Sequence, residues 1–357
     1  MIAATSLSGQ FNARWQQALA DSITDPAELC AVLGLDPALV EPAFAAAREF
    51  PLRVPRGYVA RMRRGDPRDP LLLQVLPGAV ELVSTAGFTA DPVGDRESSA
   101  APGLLHKYAG RALVVATGAC AVHCRYCFRR HFPYSDQSAL RQGWRPVLAR
   151  LQADPDIHEV ILSGGDPLSL SDRRLAQLTD ELLAVRHVRR LRIHTRYPVV
   201  LPERIDAGLL KWLADVPLQK VVVIHANHAN EIDEQVRRAC TDLAAAGATL
   251  LNQSVLLAGV NDSVPALAQL SESLFETRVL PYYLHLLDKV QGAAHFDVDE
   301  RRALDLHRQL AARLPGYLVP RLVREVAGAP AKMAIAAGHE SHLLPGAVER
   351  ASAAFDQ

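Results

Sequence analysis

The sequence predicts an α/β protein, a closed or partial barrel of six or more βα units behind a helical amino-terminal region. Short β-branched runs appear from Arg111 onward, at Ala112–Ala116, Glu159–Leu162, Leu191–His194, Lys220–Ile224, Thr249–Gln253 and Arg278–Tyr283, with a further run at Leu318–Val323. From the second run to the sixth the repeat is about 30 residues, the length of one strand–helix unit, which implies parallel strands joined by helical crossovers. Polar residues gather directly after the runs: Gly164-Gly165-Asp166, Thr195-Arg196, His225-Ala226-Asn227-His228 and Asp288, while Gln253 ends the fifth. Carboxyl ends of parallel strands are where barrels and open sheets alike build their sites. A doubly wound open sheet is the alternative, and periodicity does not separate the two.

Ahead of the strands, Asp25-Pro26-Ala27-Glu28 offers a cap, a proline at the first helical position and an acid in the first turn. Leu29, Val32 and Leu33 follow, with a stop at Gly34, so a short amphipathic helix is expected. A second apolar stretch from Leu39 ends at Phe50-Pro51, and Gly65-Asp66-Pro67 opens a turn-rich break. Ser84 to Gly103, with Asp91-Pro92, Gly94-Asp95 and Ser98-Ser99, reads as an exposed linker or lid. The expected division is a helical region and linker over 1–103, a barrel core over 104–333 and a short tail over 334–357.

Composition narrows the class. With 357 residues and 49% hydrophobic side chains the chain fills a large core, excluding a disulfide-stapled scaffold or a disordered tail. Its 39 basic and 39 acidic residues cancel without charged blocks, so neither nucleic acid nor an anionic membrane is an expected partner. Apolar runs such as Val221–Ile224 fall far short of the roughly 20 residues that span a bilayer. Met1–Arg14 lacks the pattern of a signal peptide, and a soluble cytoplasmic protein is expected. Five cysteines, three of them within Cys120–Cys127, suit a reducing compartment and metal chemistry. Only five of the 39 basic residues are lysines (Lys107, Lys211, Lys220, Lys289 and Lys332), which shortens the candidates for amine chemistry.

Cys120, Cys124 and Cys127 follow the first barrel strand at x3 and x2 spacing. Three thiolates can join His123 or His131 in a closed structural zinc site, or hold a four-iron cluster with one iron open to a substrate or cosubstrate. Cys30 and Cys240 read as inert buried thiols. The spacing, with Tyr126 before the last cysteine, resembles the radical S-adenosylmethionine enzymes. Further ordered segments resemble their lysine 2,3-aminomutase branch: His106-Lys107-Tyr108 with Arg111, Cys127-Phe128-Arg129-Arg130, Leu162 to Asp166, Arg196 to Pro202, His225 to His228, Asn252 to Asp262, and Pro281-Tyr282-Tyr283.

The resemblance implies a partial (β/α)6 barrel of the TIM type and three cofactors. A 4Fe-4S cluster falls to Cys120, Cys124 and Cys127. S-adenosylmethionine falls to Gly164, Gly165 and Asp166 at its amino group, and to His225 and Gln253 at the adenosyl end. Pyridoxal 5′-phosphate falls to Lys332 as the Schiff-base lysine, with Lys107 and Arg111 at the phosphate. An internal Schiff base needs a neutral amine, and Lys332 stands in Ala327-Gly328-Ala329-Pro330-Ala331-Lys332, with Glu325 as the neighbouring charge. Arg129 corresponds to the arginine that grips an amino-acid carboxylate, a task a planar guanidinium suits. Asp288 and Glu325 correspond to two acids on the remote ammonium of lysine, Glu325 being one methylene longer than the usual aspartate.

By the same resemblance the activity is conversion of L-lysine to (R)-β-lysine. The short tail, Trp15–Leu35 and Cys127–Tyr134 resemble the branch that supplies β-lysine for modification of elongation factor P. Implied partners are lysine, the ligase that attaches β-lysine to that factor, and an electron donor such as flavodoxin. The rival readings are a radical enzyme without pyridoxal phosphate, acting on another amino acid or a peptide, and a zinc-stabilised binding module.

Overall fold

A computed structural model describes residues 7–135 and 144–336, with side chains from Arg14 onward. The tail expected over 334–357 lies mostly outside the described residues. One sheet runs in chain order through β1 (Ser99–Ala101), β2 (Leu104–Tyr108), β3 (Arg111–Thr117), β4 (Glu159–Gly164), β5 (Arg190–Thr195), β6 (Gln219–Ile224), β7 (Ala248–Val255), β8 (Leu280–His285), β9 (Arg321–Arg324) and β10 (Met333–Ala334). Strands β3 to β9 are parallel, and β1, β2 and β10 add antiparallel edges. Helices cross over between successive parallel strands: α1 (Arg145–Gln152), α2 (Asp172–Leu183), α3 (Ala207–Asp215), α4 (Glu234–Ala245), α5 (Val264–Glu276) and α6 (Glu300–Arg313). Four start on side-chain caps, where Asp206, Asp233, Ser263 and Asp299 accept from backbone amides of the first turn. The fold is thus the expected α/β partial barrel.

The strands lie near their expected places, with one instructive offset. The run Arg278–Tyr283 predicts a strand two residues earlier than β8 begins. Arg278 sits at φ 64°, and Val279 N–H returns to Leu274 O, so both residues still belong to the close of α5.

The amino-terminal helices share the barrel's core. Trp15, Ile23, Leu29, Leu33 and Tyr58 pack in one cluster with Val114, Leu162, Ile193, Val222 and Leu250. As expected, Asp25 caps the helix Pro26–Leu33, which ends at Gly34 with φ 64°. Glu28 departs from the expected capping pattern and pairs with Arg56 instead.

The segment read as an exposed linker or lid is exposed at Ser84–Gly87, Thr89 and Ala90, yet it is tied down as a strap. Thr89 exchanges backbone hydrogen bonds with Lys289 and Gln291 beyond β8. Val93 and Asp95 are buried, and the segment's end forms β1. Its turn residues marked irregular backbone correctly, and that backbone is held at Lys289 and Gln291.

The same amino-terminal region grips the cysteine loop. Glu81 takes Arg125 on both oxygens (2.9 and 2.5 Å) and Arg130 at 2.8 Å, and both guanidiniums cover the ring of Phe50. All three charged side chains are buried, so one carboxylate answers two cations that water does not reach. Glu81→Ala should therefore lower unfolding free energy by about 3–5 kcal/mol, read as a fall in the urea midpoint. Removal of the exposed Lys211–Asp215 pair should move it by no more than about 0.5 kcal/mol.

Candidate active site

The three cysteines occupy the loop between β3 and Tyr134. Cys127 N–H closes a turn on Cys124 O (3.0 Å), and Arg196, directly after β5, donates Nη1–H to Cys124 Sγ at 2.7 Å. The other arm of Arg196 reaches Gln74 Oε1 (2.7 Å), Glu231 Oε2 (2.9 Å) and Tyr58 Oη (3.2 Å), so the cation is fixed before any ligand arrives. Burial, then the neighbouring thiols, raises the Cys120 pKa well above its usual value. Burial and Cys124 push Cys127 up to about 11. As deprotonated sulfurs they repel one another, a cost that a cationic iron centre among them relieves.

This donor set fits such a centre on chemistry. Among the described residues no three His, Cys, Asp or Glu side chains stand as a ready-made metal site, so the loop would have to draw in around the cluster. His123 Nδ1 is 2.9 Å from Pro51 O and its ring stacks on Phe50, while His131 Nε2 is 3.3 Å from Gln291 O.

Gly164, Gly165 and Asp166 have an internal structural use. Gly164 has φ 113°, and a Cβ at Gly165 would lie 2.5 Å from Ala119 O, so the double glycine lets β4 touch the cysteine loop. Gly165 N–H and Asp166 N–H donate to Thr117 O and Ala119 O at 2.7 and 2.8 Å. The Asp166 carboxylate accepts from Thr195 Oγ1 (2.7 Å), Leu168 N–H (3.0 Å) and Arg196 N–H (2.6 Å). Burial nevertheless lifts its pKa to about 6. The Gly165 and Asp166 N–H groups thus join β4 to the cysteine loop, and the Asp166 carboxylate also ties β4 to β5.

A second cluster collects the remaining charged candidates. Lys107 Nζ lies 2.7 Å from Asp95 Oδ1 and 3.7 Å from Glu325 Oε1, and Arg129 Nε donates to Asp95 Oδ2 at 2.7 Å. Glu325 accepts from Tyr108 Oη at 2.5 Å and from Lys332 Nζ at 2.8 Å. Burial raises the Glu325 pKa, but Lys332, Tyr108 and Lys107 outweigh it and hold the carboxyl below its usual value. Asp288, partly buried and close enough to feel Lys332, Glu325 and Lys107, is pushed up to about 7 by burial. Arg111 lies over the Tyr108 ring at 4.6 Å. The structure therefore brings Lys107, Arg111, Arg129, Asp288, Glu325 and Lys332 together. The group offers an amine, carboxylates and fixed cations, fitting a phosphorylated aldehyde cofactor and an amino acid with a second ammonium.

Three imidazoles complete the interior. Gln253 Nε2 lies 2.7 Å from His225 Nε2, so the two residues expected on the adenosyl group are already partners. Burial, with Arg196 and Lys332, lowers the His225 pKa to about 3. His194 and His285 each bury an Nε2 without a hydrogen-bond partner among the described residues.

Asp95, Gln74, Tyr58, Glu231, His194 and His285 were missed in the sequence. Asp95 lay in a presumed linker and Gln74 in an apolar helical stretch. His194 closed a run already assigned to a strand, and its place at the strand end was the signal available; His285 lay two residues past the run Arg278–Tyr283.

No protein-family model matches the chain. L-lysine 2,3-aminomutase of Escherichia coli (strain K12) is 49% identical over 322 residues, covering 89% of this chain and 93% of that protein. The L-lysine 2,3-aminomutase of Haemophilus influenzae is 48% identical over 318 residues (89% and 94%). That of Clostridium subterminale is 38% identical over 277 residues (77% and 66%). A radical SAM methyltransferase from Sphaerobacter thermophilus overlays 62% of the chain and 68% of its own, with a TM-score of 0.41 and 17% identity, too distant to bear on the site. Identity near one half along nearly the whole described chain agrees with the motif around Cys120–Cys127, and this chain is an isomerase of the radical S-adenosylmethionine lysine 2,3-aminomutase family.

Proposed function

We propose that the chain moves the α-amino group of L-lysine to the β carbon, giving (R)-β-lysine. The observation that carries this reading is the convergence of Lys332, Glu325, Asp288, Lys107 and Arg129 within one partly buried cluster. When bound, the 4Fe-4S cluster with S-adenosylmethionine supplies the hydrogen-abstracting radical, and pyridoxal phosphate supplies the π system that carries the migrating nitrogen. Cys120, Cys124 and Cys127 hold the cluster, with Arg196 fixed at Cys124 Sγ. The backbone and polar groups of Gly164, Gly165, Asp166, His225 and Gln253 border the cosubstrate. Lys332 holds the pyridoxal group, with Lys107 and Arg111 at its phosphate.

Arg129 receives the substrate carboxylate. Its Nε is occupied by Asp95 and Nη1 reaches Ser163 Oγ at 3.2 Å, so the guanidinium is oriented in advance. Asp288 and Glu325 take the far ammonium, and Glu325 exchanges its contact with Lys332 for one with the substrate. Burying the site keeps water from the radical and strengthens each charged contact. The likeness of Cys127–Tyr134 to the branch serving elongation factor P supports release of β-lysine to a ligase for that factor, and a flavodoxin-type donor suits the cluster. Among the described residues no helix is long and apolar enough to cross a membrane, consistent with work in the cytoplasm.

The direct test is anaerobic incubation of reconstituted protein with lysine, S-adenosylmethionine and a reductant, followed by chiral amino-acid analysis. (R)-β-lysine is the expected product, and its absence with intact cofactors would refute the assignment. Each of Cys120→Ala, Cys124→Ala and Cys127→Ala should abolish S-adenosylmethionine cleavage, whereas Lys332→Ala should retain it.

Borohydride reduction of pyridoxal-loaded protein and peptide mapping should label Lys332. Label at Lys107, Lys211, Lys220 or Lys289 instead would remove Lys332 from its role.

A third outcome concerns pH. A carboxyl raised to about 7 is neutral below that pH and cannot pair with an ammonium, so lysine affinity should fall as pH drops through about 7. The slope should approach roughly tenfold per pH unit, and Asp288→Asn should flatten the profile at the weak-binding level. An unchanged inflection in that variant would assign it to another group.

A further inference from the structure

His194 is not accounted for by the site as drawn so far. It is the fifth residue of β5, and its Nε2 is buried without a hydrogen-bond partner among the described residues. A buried ring nitrogen normally finds a partner, and leaving one unmet costs stability. The strand register shows which residues flank His194. The β4–β5 ladder pairs Leu162 with Ile193, so Ser163 and His194 hold the next rung, on strands about 4.8 Å apart. Ser163 Oγ accepts from Arg129 Nη1 at 3.2 Å, which places the Arg129 guanidinium beside this rung. On the other flank His194 pairs with Val223, and its ring meets that of His225 edge-on at 6.0 Å. Thr195, the next residue, has its hydroxyl on Asp166, in keeping with the alternation of side chains along a strand.

We propose that His194 is a substrate-contacting residue that donates its Nε2–H to the α-carboxylate of the bound amino acid, beside Arg129. The inference rests on the reading of Arg129 as the carboxylate site given above. Burial lowers the His194 pKa well below its usual value, with His225, Arg192, Lys332 and Arg129 acting in the same direction. The ring is therefore neutral at pH 7 and offers a hydrogen bond without adding a charge. This suits a site where Arg129, Lys107 and Lys332 already face Asp95 and Glu325. A neutral donor sharpens recognition of the carboxylate's shape and leaves the charge balance to the arginine. His194 would thus discriminate an α-amino acid from a simple diamine of the same length.

The test uses the full chain loaded with pyridoxal phosphate, kept anaerobic and without S-adenosylmethionine so that no turnover occurs. L-Lysine and 1,5-diaminopentane, which keeps both amines and lacks the carboxylate, are titrated while the pyridoxal absorption band is followed. His194→Ala should weaken lysine roughly tenfold or more, the scale of a lost hydrogen bond to a charged group. It should leave diaminopentane within about twofold, which also reports an intact fold. His194→Gln, whose amide N–H can stand near the lost Nε2–H, should recover part of the lysine affinity. Equal weakening of both ligands by His194→Ala would assign the residue to packing and overturn the proposal, as would no change for either. If wild type fails to respond to lysine at all, the proposed function fails first and this inference falls with it, an outcome distinct from a wild type that binds normally and a variant that does too.

Discussion

A sheet of parallel strands that does not close leaves two edges, and here one carboxylate ties them together. Glu325 stands just beyond β9, yet it accepts from Tyr108 of β2 and lies 3.7 Å from Lys107 of the same strand. It also holds Lys332, the residue before β10. Hydrogen-bonded ladders cannot span this gap, so charged side chains and the strap over residues 84–98 do. The charges proposed above to recognise a ligand are consequently the charges that complete the barrel. Truncation of Glu325 is expected to widen the edge as well as weaken a substrate contact.

The two ends of the site are built on different principles. Around the cysteines, the amino-terminal third supplies fixed polar partners: Gln74 and Tyr58 to Arg196, and Glu81 to Arg125 and Arg130. Each partner is buried, so the loop is held by hydrogen bonds whose loss leaves a charge stranded. Around Lys332, the charges pair with one another and can exchange those pairs for ligand contacts. Asp95 shows the difference within one residue. It orients Arg129 through Nε and steadies Lys107, whose ammonium also donates to Val93 O at 2.7 Å.

Much of this was legible because parallel strands buried on both faces announce themselves as β-branched runs, and because Cys120, Cys124 and Cys127 lie close in sequence. Lys332 stood out for want of other lysines. The offset of β8 arose from Arg278, a non-glycine residue in a left-handed conformation that no local pattern foretells. Asp95 was hidden because acidic turn residues occur in exposed loops far more often than under a strap, and its burial depends on Lys107 and Arg129 arriving from elsewhere. His194 was hidden differently: alternation along β5 is visible, but which face meets Arg129 depends on the register with β4. Asp166 resembled a ligand contact, and its further tie to Thr195 and Arg196, from the next strand, depends on the β4–β5 register and had no local signal.

The separation along the chain between Tyr108 and Glu325, 217 residues, bears on how the protein comes into being. Ribosomes deliver the chain from the amino end, and domains gather structure as residues emerge. Most partners of the cysteine loop, Phe50, Gln74, Glu81, Arg196 and Glu231, have left the ribosome long before Glu325 and Lys332 do. The residues around the cysteine loop are therefore synthesised before the cluster around Lys332 can be completed. A chain interrupted before β9 carries Cys120, Cys124 and Cys127 without Glu325 and Lys332, so truncation from the carboxyl end removes the proposed amine site before it touches the cysteine loop.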